Sequence, residues 1–326
     1  MKILVTGGAG YIGSHVLEPL EQAGHEVVVL DNLSAGRREA VIAGRLVEAD
    51  LADHAKVDAI LAQERPDGVM HFAAHIEVGE SVQAPAKYFA NNSANTIHLL
   101  YSMLRHDIRC FLFSSTAAVY GEPEKVPIPE TLPLRPINPY GHSKVLVERV
   151  LADLARLEGL RYASLRYFNA SGADPQGRIG ENHEPETHLI PLVLEAALGI
   201  RDRIRIFGTD YPTPDGTCLR DYIHVCDLAA AHVLALEHLL AGGESRIFNL
   251  GYGHGTSVRE IVDAARRVTG RDFSVQEAPR RDGDPAILVA DSTRIQRELS
   301  WAPQHDDLDR LVGDAWRWLQ KKRRSQ

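Results

Sequence analysis

The chain opens on a regular exchange between two textures. Short apolar runs at 3–6, 27–30, 46–48, 69–72 and 110–114 are continuous rather than alternating in polarity, the pattern of strands covered on both faces. Segments with helical spacing lie between them. In 94–104, for example, Ile97, Leu100, Tyr101 and Leu104 recur three and four positions apart, which gathers them on one side of a helix. A sixth run at 161–167 follows a helix predicted over about 140–157. Strand and helix in this succession predict an α/β fold built on a doubly wound parallel sheet.

Beyond Asn169 the texture changes. Residues 171–191 are polar and rich in Gly, Pro and His, which predicts a loop or an excursion from the sheet. Short strand candidates follow at 204–207, 222–225, 246–250 and 273–275, separated by helices. The last helix, about 307–319, runs into a basic tail at 321–324, expected to be a solvated helix end favoured by the dipole. A length of 326 residues allows about two domains.

Charge and cysteine usage narrow the function classes. The net charge of −8 argues against a nucleic-acid partner, so a phosphate-bearing ligand has to be met by local cations or helix ends. Cys110, Cys218 and Cys226 form no C-x-x-C pair, which suits a reducing compartment. No stretch reaches the ~18 apolar residues of a membrane span; 228–240 is interrupted by His232, Glu237 and His238. The apolar run 3–5 is too short for a signal peptide. The expectation is a soluble cytoplasmic protein with no membrane partner.

Two stretches carry chemistry. Directly after the first predicted strand, Gly7, Gly10 and Gly13 form G-x-x-G-x-x-G, and Gly8, Gly10 and Gly13 form G-x-G-x-x-G. Glycines there let the backbone turn tightly and bring a pyrophosphate onto helix N–H groups. Asp31 closes the second strand, where a carboxylate accepts from an adenosine ribose and repels a 2′-phosphate. NAD is therefore the expected cofactor; the nearby Arg37 and Arg38 leave NADP as the alternative. The second stretch is Asn138-Pro139-Tyr140-Gly141-His142-Ser143-Lys144. Asn138 suits an N-cap and Pro139 a first helical position, which puts Tyr140 and Lys144 on one face. Thr116 stands at the carboxyl end of the strand at 110–114, where open α/β sheets hold their ligands. For a phenol to act as a base near neutrality, its phenolate needs roughly three pKa units, ~4 kcal/mol, of stabilisation. An ammonium and a cationic nicotinamide act in that direction, and a threonine hydroxyl can hold the reacting substrate hydroxyl.

With these residues in place, the chain resembles the UDP-glucose 4-epimerase (UDP-galactose 4-epimerase) branch of the extended short-chain dehydrogenase/reductase family. The likeness runs from Lys2 to about Trp318 and includes LVTGGAGYIGSH, HFAAHIEVGESV, FLFSSTAAVYGE, NPYGHSK, LRYFNASGAD, FGTDYPTPDGTCLRDYIHV, FNLGYG and APRRDGDPA. It implies a Rossmann-like NAD-binding domain, 1–169 plus about 221–250. A smaller α/β domain for the UDP-sugar, about 170–220 plus 251–326, would complete the chain. It implies Tyr140 as base, Lys144 as its partner and Thr116 at the Ser/Thr position. Tyr11, Ile12, Asp31, Asn32, Asp50, Leu51, Phe72, Ala73, Asn91 and Phe168 match cofactor-contacting positions, with Lys144 again among them. Asn169, His188, Leu189, Phe207, Arg220, Arg281 and Asp284 match positions that hold the UDP part. Leu288 falls at a wall position associated with tolerance of an N-acetyl group at carbon 2. The implied partners are UDP-glucose and UDP-galactose, and the implied assembly is a homodimer. Three residues depart from the pattern: Ile76 where a Lys is frequent, Ala118 in place of a small hydroxyl residue, and His188 in place of an Asn.

Three other readings compete. Sugar-nucleotide dehydratases and decarboxylases resemble the chain but carry an acid just after the Ser/Thr, where Ala117 and Ala118 stand here. A non-catalytic nicotinamide sensor needs no Tyr140–Lys144 pair. A metal hydrolase is disfavoured because 183–188 is one residue too long for H-E-x-x-H and Pro185 breaks the required helix; no metal is expected.

Overall fold

The computed structural model describes residues 1–281 and 284–324. Its strands in chain order are β1 (Lys2–Thr6), β2 (Glu26–Asp31), β3 (Arg45–Glu48), β4 (Gly68–His71), β5 (Cys110–Ser114), β6 (Arg161–Tyr167) and β7 (Asn169–Ser171). They continue with β8 (Arg203–Phe207), β9 (Leu219–Arg220), β10 (Tyr222–His224), β11 (Arg246–Leu250), β12 (Thr256–Ser257), β13 (Ser274–Ala278) and β14 (Ile287–Leu288). The helices are α1 (Tyr11–Gln22), α2 (His54–Glu64), α3 (Val78–Gln83), α4 (Pro85–Tyr88), α5 (Asn95–Arg105) and α6 (Pro139–Glu158). After them come α7 (Leu189–Ala197), α8 (Val225–Leu240), α9 (Val258–Thr269), α10 (Thr293–Leu299) and α11 (Leu308–Arg324).

Seven strands form one sheet in the order β11-β6-β5-β4-β1-β2-β3, every neighbouring pair parallel. Successive residues of each strand feed opposite cores, which is why the apolar runs are unbroken. Ile3 and Val5 pack with Val16 and Leu17 of α1 and Leu236 of α8, whereas Leu4 packs with Leu61 of α2 and Leu100 of α5. Each such side chain contributes roughly 1.5–3 kcal/mol on burial, so neither face tolerates a polar residue cheaply. The chain winds outward from β1 through β2 to β3, then returns to β4 on the other side. The carboxyl ends of β1 and β4 therefore flank a crevice at the topological switch point, the place where such sheets take ligands.

A second apolar cluster lies apart from the sheet. It joins α7, α9 and α11 with the parallel β8–β13 ribbon, through residues such as Val193, Ile206, Ile261 and Trp316. The fully buried Asp221 stitches this region to the sheet. Its carboxylate accepts from Tyr252 N–H at 2.7 Å, Gly253 N–H at 3.0 Å and Ala290 N–H at 3.1 Å.

Local chemistry sets the boundaries of α6. Asn138 Oδ1 accepts from Gly141 N–H at 2.8 Å, Pro139 occupies the first turn, and Gly159 ends the helix at φ +70°. Two expectations are corrected by tertiary packing. The polar stretch expected to stay irregular to 191 gives way to helix at Leu189, because Pro191 falls in the first turn, where its missing N–H is not needed. The basic tail is not merely solvated: Lys322 donates to Asn182, and Arg323 donates to the Leu198 carbonyl at 3.2 Å. That carbonyl belongs to the end of α7, where helix C=O groups lack internal partners and favour cations.

Candidate active site

The crevice above β1 and β4 opens into a cleft of ≈ 2190 Å³ that reaches the second apolar cluster. Its floor is the glycine turn. Gly7 has φ +74°, and a Cβ there would lie 2.4 Å from Ala73 N; one on Gly13 would lie 2.3 Å from Gly7 O. Both glycines thus let α1 start tightly against the sheet. A Cβ on Gly10 would meet only Gly7 O at 3.3 Å, so this residue faces open space at the helix start. Its α1 has no side-chain cap, leaving N–H groups for an anion. The cradle fits the pyrophosphate of a dinucleotide. Gly7, Gly10, Tyr11, Ile12 and Gly13 all line the cleft, as do Phe72 and Phe168.

The other residues expected around the cofactor, Asp31, Asn32, Asp50, Leu51, Ala73 and Asn91, are not among those lining the cleft. Asp31 accepts from Ala9 N–H at 2.9 Å and Leu33 N–H at 2.8 Å. It clamps the glycine turn while each oxygen keeps a lone pair, and burial raises its pKa against these two hydrogen bonds. Asn32 donates to Asp50 at 2.8 Å, and that carboxyl is held below its usual range by Ala52 N–H and Asn32. Leu51 is buried, Ala73 N–H donates to Thr6 O at 3.1 Å, and Asn91 donates to Asn92 at 3.0 Å. Arg37 pairs with Glu184 at 3.5 Å and Arg38 with Glu48 at 2.5 Å. Both cations that could have served a 2′-phosphate are thus engaged with acids.

Thr116 and Tyr140 meet on the cleft wall. Thr116 Oγ1 accepts from Ala118 N–H at 3.1 Å, which leaves its own proton to donate. Burial drives the Tyr140 phenol well above its ordinary pKa, while the Thr116 hydroxyl pulls it down. Lys144 is buried beneath, its Nζ 6.0 Å from the Tyr140 ring centre and donating to Ser114 O at 2.8 Å. Burial pushes this ammonium down to about 7, against the opposing charge of Glu148. Ile76 and Ala118, two of the departures, also line the cleft.

The opposite end is cationic and aromatic. Arg281 stacks 4.0 Å over the Phe207 ring, and Arg220 donates to both Asp284 and its neighbouring Leu219 carbonyl. A guanidinium has five donors, so Arg220 keeps several for a phosphate. Asn169, His188 and Leu189 line the same cleft. Leu288 does too, packed on the small cluster of Val119, Tyr120, Ile128 and Val145. Asp282 and Gly283, inside the APRRDGDPA stretch, lie outside the described residues.

Two arrangements were not expected from the sequence. Glu148, one turn after Lys144, forms a buried pair with Arg166 of β6 and accepts from Ser115 Oγ at 2.7 Å. This ties the Tyr140 helix to the segment bearing Thr116. An acid four residues beyond the Tyr-x-x-x-Lys lysine was the only available hint. The second is the convergence of Glu181, His183, Glu186 and His188, whose donor atoms all lie within 4.8 Å of one another. Helical H-E-x-x-H spacing could not reveal it, because 180–188 is not a helix.

A glycine cradle at the switch point, with a Thr–Tyr–Lys group beside it, defines a nicotinamide-dinucleotide protein of the short-chain dehydrogenase type. Residues 3–251 match the NAD dependent epimerase/dehydratase family, and the chain belongs to that family, whose cofactor is NAD. It is 54% identical over 318 residues, 97% of this chain and 91% of the relative, to the UDP-glucose 4-epimerase of Azospirillum brasilense. The crystal structure of UDP-glucose 4-epimerase from Brucella ovis in complex with NAD superposes with a TM-score of 0.94, at 49% identity and covering 97% of each chain. The enzyme from Stenotrophomonas maltophila, with bound NAD and formylated UDP-arabinopyranose, gives 0.96 at 41% identity over 100% of both chains.

Proposed function

We propose that this chain interconverts UDP-glucose and UDP-galactose by inverting carbon 4 through a transient 4-keto sugar, with NAD held throughout. The observation that carries the reading is the meeting of Thr116 and Tyr140 in the same cleft as Arg220 and Arg281. Relatives at about half identity over nearly the whole chain bear the same activity in their names. NAD, when bound, supplies the hydride acceptor and a positive charge near the phenol. Tyr140 takes the proton of the carbon-4 hydroxyl and later returns it. Thr116, its oxygen fixed by Ala118 N–H, donates to the sugar and orients it. Lys144 supports the phenolate from below. Arg220 and Arg281 grip the diphosphate by charge-assisted hydrogen bonds, which leaves the sugar free to present either face. Ala117 and Ala118 offer no acid beside Thr116, so nothing there drives the elimination of a dehydratase.

The domains follow the same division: 1–169 with about 221–250 for NAD, and about 170–220 with 251–326 for UDP. We place the enzyme in the cytoplasm as a homodimer; exposed Tyr101 on α5 and Leu146 on α6 support a paired-helix interface. A broader sugar range is supported by Leu288, a flexible aliphatic wall residue. Displacing a bulky aromatic would cost about 1–3 kcal/mol, whereas Leu288 can change rotamer, so UDP-N-acetylglucosamine should be accepted, less well than UDP-glucose.

The test is incubation of purified protein with UDP-galactose and no added cofactor, followed by product analysis. UDP-glucose should form to equilibrium; a dehydrated product, or no product, overturns the proposal. In the same assay Leu288→Tyr should lower kcat/KM for the N-acetylated sugar relative to UDP-glucose, and an unchanged ratio removes Leu288 as the gate.

A further inference from the structure

Of the segment 180–188, the proposed reaction uses none of Glu181, His183 and Glu186, while His188 stands at an expected UDP position in the cleft. The segment runs irregularly along the cleft rim and touches several separate parts of the molecule, Arg37 among them through Glu184. Trp318 of α11 donates to Glu181 O at 2.8 Å. Thr187 donates to Glu77, in the segment after β4, at 2.8 Å. The His183 ring meets the Tyr11 ring of α1 edge-on, with 6.4 Å between centres.

Within this strap four donor groups converge. His188 Nδ1 is 2.8 Å from Glu181 Oε1 and 3.0 Å from Glu186 Oε1. His183 Nδ1 is 3.1 Å from Glu181 Oε1 and 3.9 Å from Glu186 Oε2. A tetrahedral ion with bonds near 2.0–2.1 Å has ligand-to-ligand edges of about 3.3 Å, and one donor atom from each of the four residues lies within 4.8 Å of the other three. Both glutamates are nearly buried, at 8% side-chain exposure. Thr187 N–H and His188 N–H both donate to Glu186 Oε1 at 2.8 Å, so the backbone fixes that carboxylate from outside, as outer partners of metal ligands do. Two carboxylates would balance a divalent charge, and the ion would displace the Nδ1 proton that lets His188 pair with Glu181 and Glu186.

We propose that Glu181, His183, Glu186 and His188 bind a zinc-class divalent cation that staples the strap along the cleft rim. Paired imidazoles favour a first-row transition ion over calcium or magnesium. The site goes beyond the epimerase reading and does not depend on it. A second convergence, of His224, His305 and Asp314, brings together three donors rather than four.

The experiment uses the full-length, tag-free, NAD-loaded protein, treated with chelator, desalted and titrated with Co²⁺. One equivalent should bind, with the intense visible absorption of a tetrahedral site and a Kd of about 10 µM or tighter. Zn²⁺ should then displace the colour and raise the melting temperature. His183→Gln and Glu186→Gln should each weaken binding by about 100-fold or more, with circular dichroism unchanged, while His305→Gln leaves the titration as it was. Absence of saturable absorption, a weak octahedral spectrum, or colour that survives both strap variants overturns the proposal. Colour abolished by His305→Gln overturns it equally, by placing the ion in the other cluster. Should one strap variant fail to fold, the other and the Zn²⁺ displacement on wild type decide the matter.

Discussion

Tyr140 and Lys144 are pushed by burial in directions that both disfavour charge: the phenol upward and the ammonium down to about 7. Of the groups that shift Tyr140, only the Thr116 hydroxyl pulls it downward. A positive charge placed beside the phenol would act against that burial, in the direction that favours proton removal. Tyr140→Phe should retain NAD and lose turnover by a factor of about 10²–10⁴, the usual share of a positioned acid–base group. Turnover near wild type in that variant would take the proton-transfer role away from Tyr140. Thr116→Ala removes one orienting hydrogen bond to a group that becomes charged, about 2 kcal/mol, and should slow kcat by some thirtyfold, about what that energy converts to. An effect as large as that of Tyr140→Phe would mean that Thr116 itself carries the proton.

At the scale of elements, the glycine turn and α1 behave as one rigid piece. A methyl on Gly13 would press within 2.3 Å of Gly7 O and 2.9 Å of Gly8 Cα, both backbone atoms that cannot rotate aside. Gly13→Ala must shift α1, with an overpacking cost of about 1–3 kcal/mol. Quantifying the nucleotide released on denaturation, beside a thermal melt, should show NAD content and melting temperature both reduced. Full NAD content would mean that α1 can yield. This turn was legible in the sequence because its requirement is local: a tight bend directly after an apolar strand. Asp31 was legible by position, but its grip on Ala9 N–H and Leu33 N–H was not, since only the folded turn brings those groups to it. The Arg166–Glu148 pair was not legible, because 18 positions separate its members and the chain passes from helix α6 to strand β6 between them.

For the whole molecule, the outward faces of α5 and α6 set the expected assembly. Tyr101 is 62% exposed and Leu146 41%, on helices that pack beside each other on one face of the sheet. Sedimentation equilibrium should give twice the chain mass, and Tyr101→Lys combined with Leu146→Lys should shift it toward monomer. A monomer in the wild type removes the interface. By itself the sequence determined the parallel sheet, the glycine cradle and the Tyr140–Lys144 face, since each follows from periodicity or spacing within a few residues. Only the tertiary structure decided which distant groups share one cleft. Arg220 reaches Asp284 across 64 positions, and Arg281 covers Phe207 from another strand's end. The four donors at 181–188 were adjacent in sequence yet hidden for a different reason. Pro185 excludes the helix whose spacing rule would have flagged them, and an irregular backbone has no period from which side-chain directions can be read.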